Sequence, residues 1–190
     1  VEMTRRQTIE PGRQRPAPAD QRVTQIISGT SAWNMPAPAA GQPAAEPQPQ
    51  PAAVEERTME IRVTPHGFLK AALANNSTSE VANGGSEVSF TVDGHRYVGT
   101  INAQNQVERV QTWIDNPVLG DTLVEVAYSD YRDFGGVMFP GRMVRTQGGH
   151  PVLDITVSDV KANPAVDITV PDQVRNFTPP PVQVAVQKLA

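Results

Sequence analysis

From Glu87 onward the chain alternates apolar and polar residues with a period of two, and this alternation constrains its fold more than any other feature. Val88, Phe90 and Val92 alternate with polar neighbours, Asp93-Gly94 supplies a two-residue hairpin turn, and His95, Tyr97, Gly99 and Ile101 resume the pattern on the return strand. Polar turns at Asn102–Gln106 and from Asn116-Pro117 to Gly120-Asp121 bracket a strand over Val107–Ile114, and a further strand follows over Thr122–Asp133. Within it Val124, Val126 and Tyr128 share one face while Glu125 and Ser129 take the other, the pattern of a sheet with one wetted side. Phe134-Gly135-Gly136 and Gly148-Gly149 then lead into Val137–Gln147 and Pro151–Val160. These spacings predict a mainly β (α+β) fold, a curved antiparallel meander of five or six strands partly covered by one or two short helices.

Upstream, Met3–Ile9 and Arg22–Ser28 read as an antiparallel pair joined through Pro11-Gly12 and Pro16-Ala17-Pro18, continued by Ser31–Met35. Residues 36–53 hold six prolines and seven alanines without apolar periodicity, which predicts an extended, solvated insertion. Residues 54–74 carry the helical signal. Thr64 is an N-cap with Pro65 at the first helical position, and Phe68, Leu69, Ala72 and Leu73 form an apolar stripe, so a helix is expected over 65–74 as the cover of the sheet. Residues 165–175 are read as an edge segment and Pro179-Pro180-Pro181 as a stiff spacer. The domain reading is thus one curved-sheet domain over 1–175 with an insertion at 36–53, then a proline-rich linker over 176–190.

The predicted interior holds Val88, Phe90, Val126, Tyr128, Phe139, Met143, Leu153, Ile155 and Val157. Seven of these, Phe90, Val126, Tyr128, Phe139, Met143, Leu153 and Ile155, form the candidate apolar face, whose cover by one helix is expected to be incomplete. Trp33 and Trp113 are expected to serve as ordinary core or rim packing.

Charge and chemistry narrow the function classes. Net charge is −4, and residues 54–175 carry ten basic residues against sixteen acids, so no nucleic-acid partner is expected. The one basic stretch, Arg5, Arg6, Arg13, Arg15 and Arg22, reads as solvated. The longest uncharged run, Val23–Ala45, is broken by Pro36, Pro38 and Pro43, so no membrane span is expected. There is no cysteine, hence no disulfide, thiolate ligand or cysteine nucleophile. His66, His95 and His150 lie far apart with no metal-ligand spacing, and no Gly-x-Ser-x-Gly elbow or phosphate-binding glycine motif is present. No catalytic, cofactor-binding or metal-binding residue is therefore assigned. In Ser129-Asp130-Tyr131-Arg132-Asp133 the charges are read as a surface ion pair or a turn cap.

The run Tyr128-Ser-Asp-Tyr-Arg-Asp-Phe-Gly-Gly-Val-Met-Phe-Pro-Gly-Arg-Met-Val-Arg-Thr-Gln-Gly-Gly-His-Pro-Val-Leu-Asp154, with Thr64-Pro-His-Gly-Phe-Leu-Lys-Ala-Ala72 upstream, resembles the N-terminal domain of certain bacterial metallo-beta-lactamase-fold hydrolases. That domain is similar in architecture to the lipoprotein-localisation (LolA-like) carriers, a curved antiparallel sheet plugged by helices. The resemblance covers about residues 1–175. It implies a noncatalytic accessory domain, periplasmic or secreted, whose partner is a downstream catalytic domain of the same polypeptide or an apolar small molecule. The zinc of that family would lie in the downstream domain, with no cofactor in this chain. The start at Val1 and the end at Ala190 imply an upstream strand and a downstream domain outside this sequence. The alternative functions are a lipoprotein- or lipid-binding carrier and an enzyme in its own right.

Overall fold

A computed structural model describes residues 2–5, 21–38, 43, 45–82, 84–115, 118, 120–166 and 168–179. The Pro11–Pro18 connection, Asn116-Pro117 and all but the first proline of the triproline lie outside them, as do the side chains of the basic stretch. The chain divides into two compact units, Val1–Arg57 with Asp167–Ala190, and Thr58–Val166.

The first unit is a four-stranded antiparallel sheet in the order β1 (Glu2–Arg5), β2 (Gln21–Ser28), β3 (Ser31–Pro36), β4 (Gln48–Pro49). A single turn of 3-10 helix, Pro51–Ala53, leads into helix α1 (Val54–Arg62). The Pro/Ala insertion is thus only partly an excursion. Its last residues return to the sheet, Trp33 facing Pro49 and Asn34 facing Gln48, and Gln50 N donates to Ala32 O at 2.8 Å. Here backbone hydrogen bonding supplies what the apolar pattern lacks, since prolines at a sheet edge withhold donors no neighbour needs. Trp33 is fully buried, and the Arg57 guanidinium donates to Ile26 O (2.8 Å), Trp33 O (2.9 Å) and Asn34 Oδ1 (2.6 Å). The expected edge segment at 165–175 instead contains a one-turn helix, α3 (Asp172–Arg175), which lies against β3 and β4 and buries Val174.

The second unit holds helix α2 (Pro65–Ala74) and a seven-stranded open sheet. Its strands are β5 (Thr78–Ala82), β6 (Gly85–Val92), β7 (His95–Ile101), β8 (Val107–Ile114), β9 (Thr122–Asp133), β10 (Met138–Gln147) and β11 (His150–Thr156). Each pairs antiparallel with its neighbour in sequence, so the meander is continuous and the fold is mainly antiparallel β. Asp93 (φ 51°) and Gly94 (φ 80°) both take left-handed backbone, the two-residue turn whose twist matches the flanking strands.

Helix α2 begins as its sequence dictates: Thr64 Oγ1 accepts from Gly67 N at 3.2 Å and Pro65 occupies the first turn. The elbow between α1 and α2 is close. A Cβ on Gly67 would lie 1.9 Å from Ile61 O, so only glycine fits there. The two helices and the elbow between them lay Met59, Val63, Phe68 and Ala72 on one face of the sheet, against Phe90, Tyr97, Val107, Val110, Val126 and Tyr128.

Candidate functional site

Register places the core-facing residues in rows across the sheet. Phe90 faces Tyr97, which faces Thr112; Val88 faces Gly99, which faces Val110, which faces Val126; Tyr128 faces Met143, which faces Ile155. Gly99 is the position at which α2 docks. A Cβ there would fall 2.3 Å from two carbons of the Phe68 ring, so the missing side chain is the seat of that ring. Phe68, Tyr97 and Val110 have no exposed surface; the Phe68 ring meets Phe90 at 5.4 Å tilted by 41°, and Phe90 stacks on Tyr97 at 5.2 Å. Tyr128 Oη donates to Val63 O and ties β9 to the helical elbow. Burial holds the Tyr128 phenol well above its ordinary ionisation range.

Of the seven residues of the candidate apolar face, Phe90, Val126 and Tyr128 are buried under the helices, and Phe139, Met143 and Ile155 are half-buried. Phe139 stacks on His66 of α2 at 5.6 Å with the rings 2° from parallel. Leu153 departs from the predicted interior: it is 47% exposed. It lies on β11, where it faces Arg145 at the edge of the sheet as formed by the described residues. Val157 lies past the end of β11 and is half-buried, its N donating to Gly141 O at 2.8 Å. The cover of this face is also larger than a single helix, because Met59 and Val63 of the α1 segment join Phe68 and Ala72.

The charged motif on β9 resolves differently from a strand-face ion pair. Asp130 has a φ of 56°, and this left-handed residue interrupts the alternation, so that Tyr128 and Tyr131 both pack on the core. Tyr131 Oη donates to Val107 O at 2.7 Å, and burial pushes its ionisation up to about 12. Arg132 does not pair with Asp130; it donates to Val157 O and lies over the Phe134 ring at 4.8 Å. Asp133 is the turn cap, accepting from Gly136 N at 2.5 Å. The ion pair of this region joins neighbouring strands instead, Arg142 to Asp154 at 3.0 and 2.7 Å, and that guanidinium holds the Asp154 carboxyl below its usual range.

Two polar atoms are buried without a hydrogen-bond partner among the described residues, Tyr97 Oη and Arg145 Nε. Arg145, on the core-facing row, reaches Glu60 of α1 at 3.4 Å through its terminal nitrogen. His66 starts α2, His95 starts β7 and His150 starts β11, and among the described residues no three groups of metal-binding type converge. No described helix is long and apolar enough to cross a membrane. A cavity of about 510 Å³, not anticipated from the sequence, opens where the end of α2 passes the β5–β6 edge. Its residues come from four separate segments, and no local motif marks them. Comparisons with models of protein families, with functionally described proteins and with solved structures give no match.

Proposed function

We propose that this chain is a noncatalytic accessory domain of a bacterial metallo-beta-lactamase-fold hydrolase, working in the periplasm or outside the cell by packing against a catalytic domain in the same polypeptide. The observation that carries this reading is the filling of the sheet's apolar face by the chain's own helices, with Phe68 seated over Gly99. A face filled in this way serves as a scaffold. Apolar side chains stay exposed on both edge strands, Val81 on β5 and Val152 and Leu153 on β11, and β11 is the edge assigned here to the partner. The sequence resemblance over Tyr128–Asp154 and Thr64–Ala72 is what supports a hydrolase domain as that partner, and any zinc would be held by it.

The test compares the isolated chain with the chain extended by its downstream region. Zinc-dependent hydrolysis is expected only in the longer protein, together with slower amide exchange along β11. Turnover by the isolated chain that a chelator abolishes would overturn the reading in favour of an enzyme. Stoichiometric uptake of an apolar ligand by the isolated chain would overturn it in favour of a carrier.

A further inference from the structure

The cavity at the end of α2 is chemically unlike the apolar face. β5 pairs with β6 only as far as Thr78 opposite Ser89, and the chain then rises through Asn76 and Asn75 to the helix, leaving a notch beside Phe90 and Thr91. The notch holds about 510 Å³, within the usual size of small-molecule sites. Phe90 contributes to it, and the rest of the wall consists mainly of residues that form hydrogen bonds.

The Asn75 amide is committed, donating to Ala71 O at 2.7 Å, but the other polar side chains of the notch keep free capacity. Thr78 Oγ1 and Ser89 Oγ lie 3.0 Å apart, so between them one proton and several lone pairs are free to face the cavity. The side chains of Asn76 and Thr91 make no hydrogen bond among the described residues. Arg96 makes no ion pair among them, and its guanidinium carbon lies 6.0 Å from the centroid of the Trp113 ring on β8. Among the described residues no carboxylate lines the notch.

From this composition we infer that the notch is a binding site for a small polyhydroxylated carboxylate of the sugar-acid class. A single forked guanidinium matches one carboxylate, whereas a polyphosphate or a nucleic acid would require several cations. The amide and the hydroxyls match ligand hydroxyls as both donors and acceptors, and a bare apolar acid would leave them unpaired. The absence of carboxylates in the lining argues against a cationic ligand. The site goes beyond the accessory role and does not depend on it, since none of its residues except Phe90 belongs to the filled apolar face.

Titration of the full chain with glucuronate, followed by amide and side-chain NMR shifts, tests the inference. Saturable shifts are expected at Asn76, Thr78, Ser89, Thr91 and Arg96, with weaker binding of glucose, which lacks the carboxylate, and of acetate, which lacks the hydroxyls. Arg96→Gln is expected to weaken glucuronate binding about tenfold and to abolish the preference over glucose. Thr91→Val, at an exposed position, tests the hydroxyl contacts if the arginine variant is misfolded, and it is expected to narrow the preference over acetate. No saturable shift at these residues, equal binding of acetate and glucuronate, or binding unaffected by either substitution would overturn the assignment.

Discussion

Gly99→Ala is the smallest change that tests how the apolar face is filled. Gly99 has an ordinary strand backbone, so an alanine there should by itself stabilise the protein by roughly 0.5–1 kcal/mol through the unfolded chain's lost freedom. The packing opposes this. The new methyl would sit 2.3 Å from two ring carbons of Phe68 and 3.0 Å from a third, and the ring has no exposed side toward which to move. Overpacking of this kind costs about 1–3 kcal/mol, larger than the backbone gain, so a net loss of about 1–2 kcal/mol is expected. In a chain of this length that lowers Tm by roughly 2–8 °C. Phe68→Leu removes the ring atoms that clash, so the double variant should be more stable than the sum of the two single losses implies, by about 1 kcal/mol in a double-mutant cycle. Urea unfolding followed by Trp113 fluorescence, with Trp33 replaced by Phe to isolate the signal, measures all four proteins. A neutral or stabilising Gly99→Ala with no coupling to Phe68 would refute the docking of α2 on this sheet.

The two buried tyrosines of the core should respond oppositely to loss of the hydroxyl. Tyr128→Phe removes the bond to Val63 O and should cost about 1–2 kcal/mol, whereas Tyr97→Phe removes a buried hydroxyl with no hydrogen-bond partner among the described residues and should be neutral or stabilising; equal losses in chemical denaturation would contradict this. Arg57→Leu leaves the carbonyls of Ile26 and Trp33 and the Asn34 amide without this donor, so a loss of about 2–4 kcal/mol is expected, read as earlier unfolding by Trp33 fluorescence. Deletion of residues 37–46 should leave the first sheet intact, while deletion of 37–52 removes β4 and should lower Tm measurably. Tyr131 ionises near 10 when unfolded and at about 12 when folded, so stability is full below pH 10 and declines as pH rises toward 12; Tyr131→Phe should flatten that decline in alkaline melts.

The sheet of the second unit was largely legible because its burial and its sequence share one period. β8 and β9 occupy the segments bracketed by the polar turns, and the Asp93-Gly94 turn follows from two residues that tolerate left-handed backbone. Features held by backbone bonds alone left no such mark. β5 has a single large apolar residue, Val81, and it is 90% exposed, so the strand forms by pairing with β6 and has no burial pattern to detect. β4 likewise pairs through Gln48 and Pro49. Register slips hide a second class of feature. Left-handed Asp130 puts Tyr128 and Tyr131 on the same side although three residues separate them, and a strict period of two cannot anticipate that. The cavity beside Phe90 was hidden for a third reason: it joins residues from α2 to β7 that share no spacing in sequence.

The filled face also sets a quantitative condition on any carrier function. Phe68, Val63 and Met59 are buried against the sheet, and exposing three such side chains costs about 1.5–3 kcal/mol each, or roughly 5–9 kcal/mol together. Loss of the Tyr128 bond to the elbow adds about 1 kcal/mol. An apolar ligand that replaced the helices would have to recover this before showing any net affinity, so a contact set worth about 8 kcal/mol, enough for micromolar binding to an open face, would leave almost none here. Total stabilities of about 5–15 kcal/mol leave little room for such an opening without unfolding. Phe68→Ala shifts that balance in a measurable way. It removes the ring over Gly99 while leaving α1 and the sheet in place, at a cost of about 3–5 kcal/mol, and the resulting void is apolar. The wild-type chain should therefore leave an environment-sensitive apolar dye dark at this face, and the variant, if still folded, should light it. Strong dye binding by the wild type that Phe68→Ala does not increase would mean that the dye enters elsewhere or that the helices already stand away from the sheet, and in the latter case the scaffold reading falls.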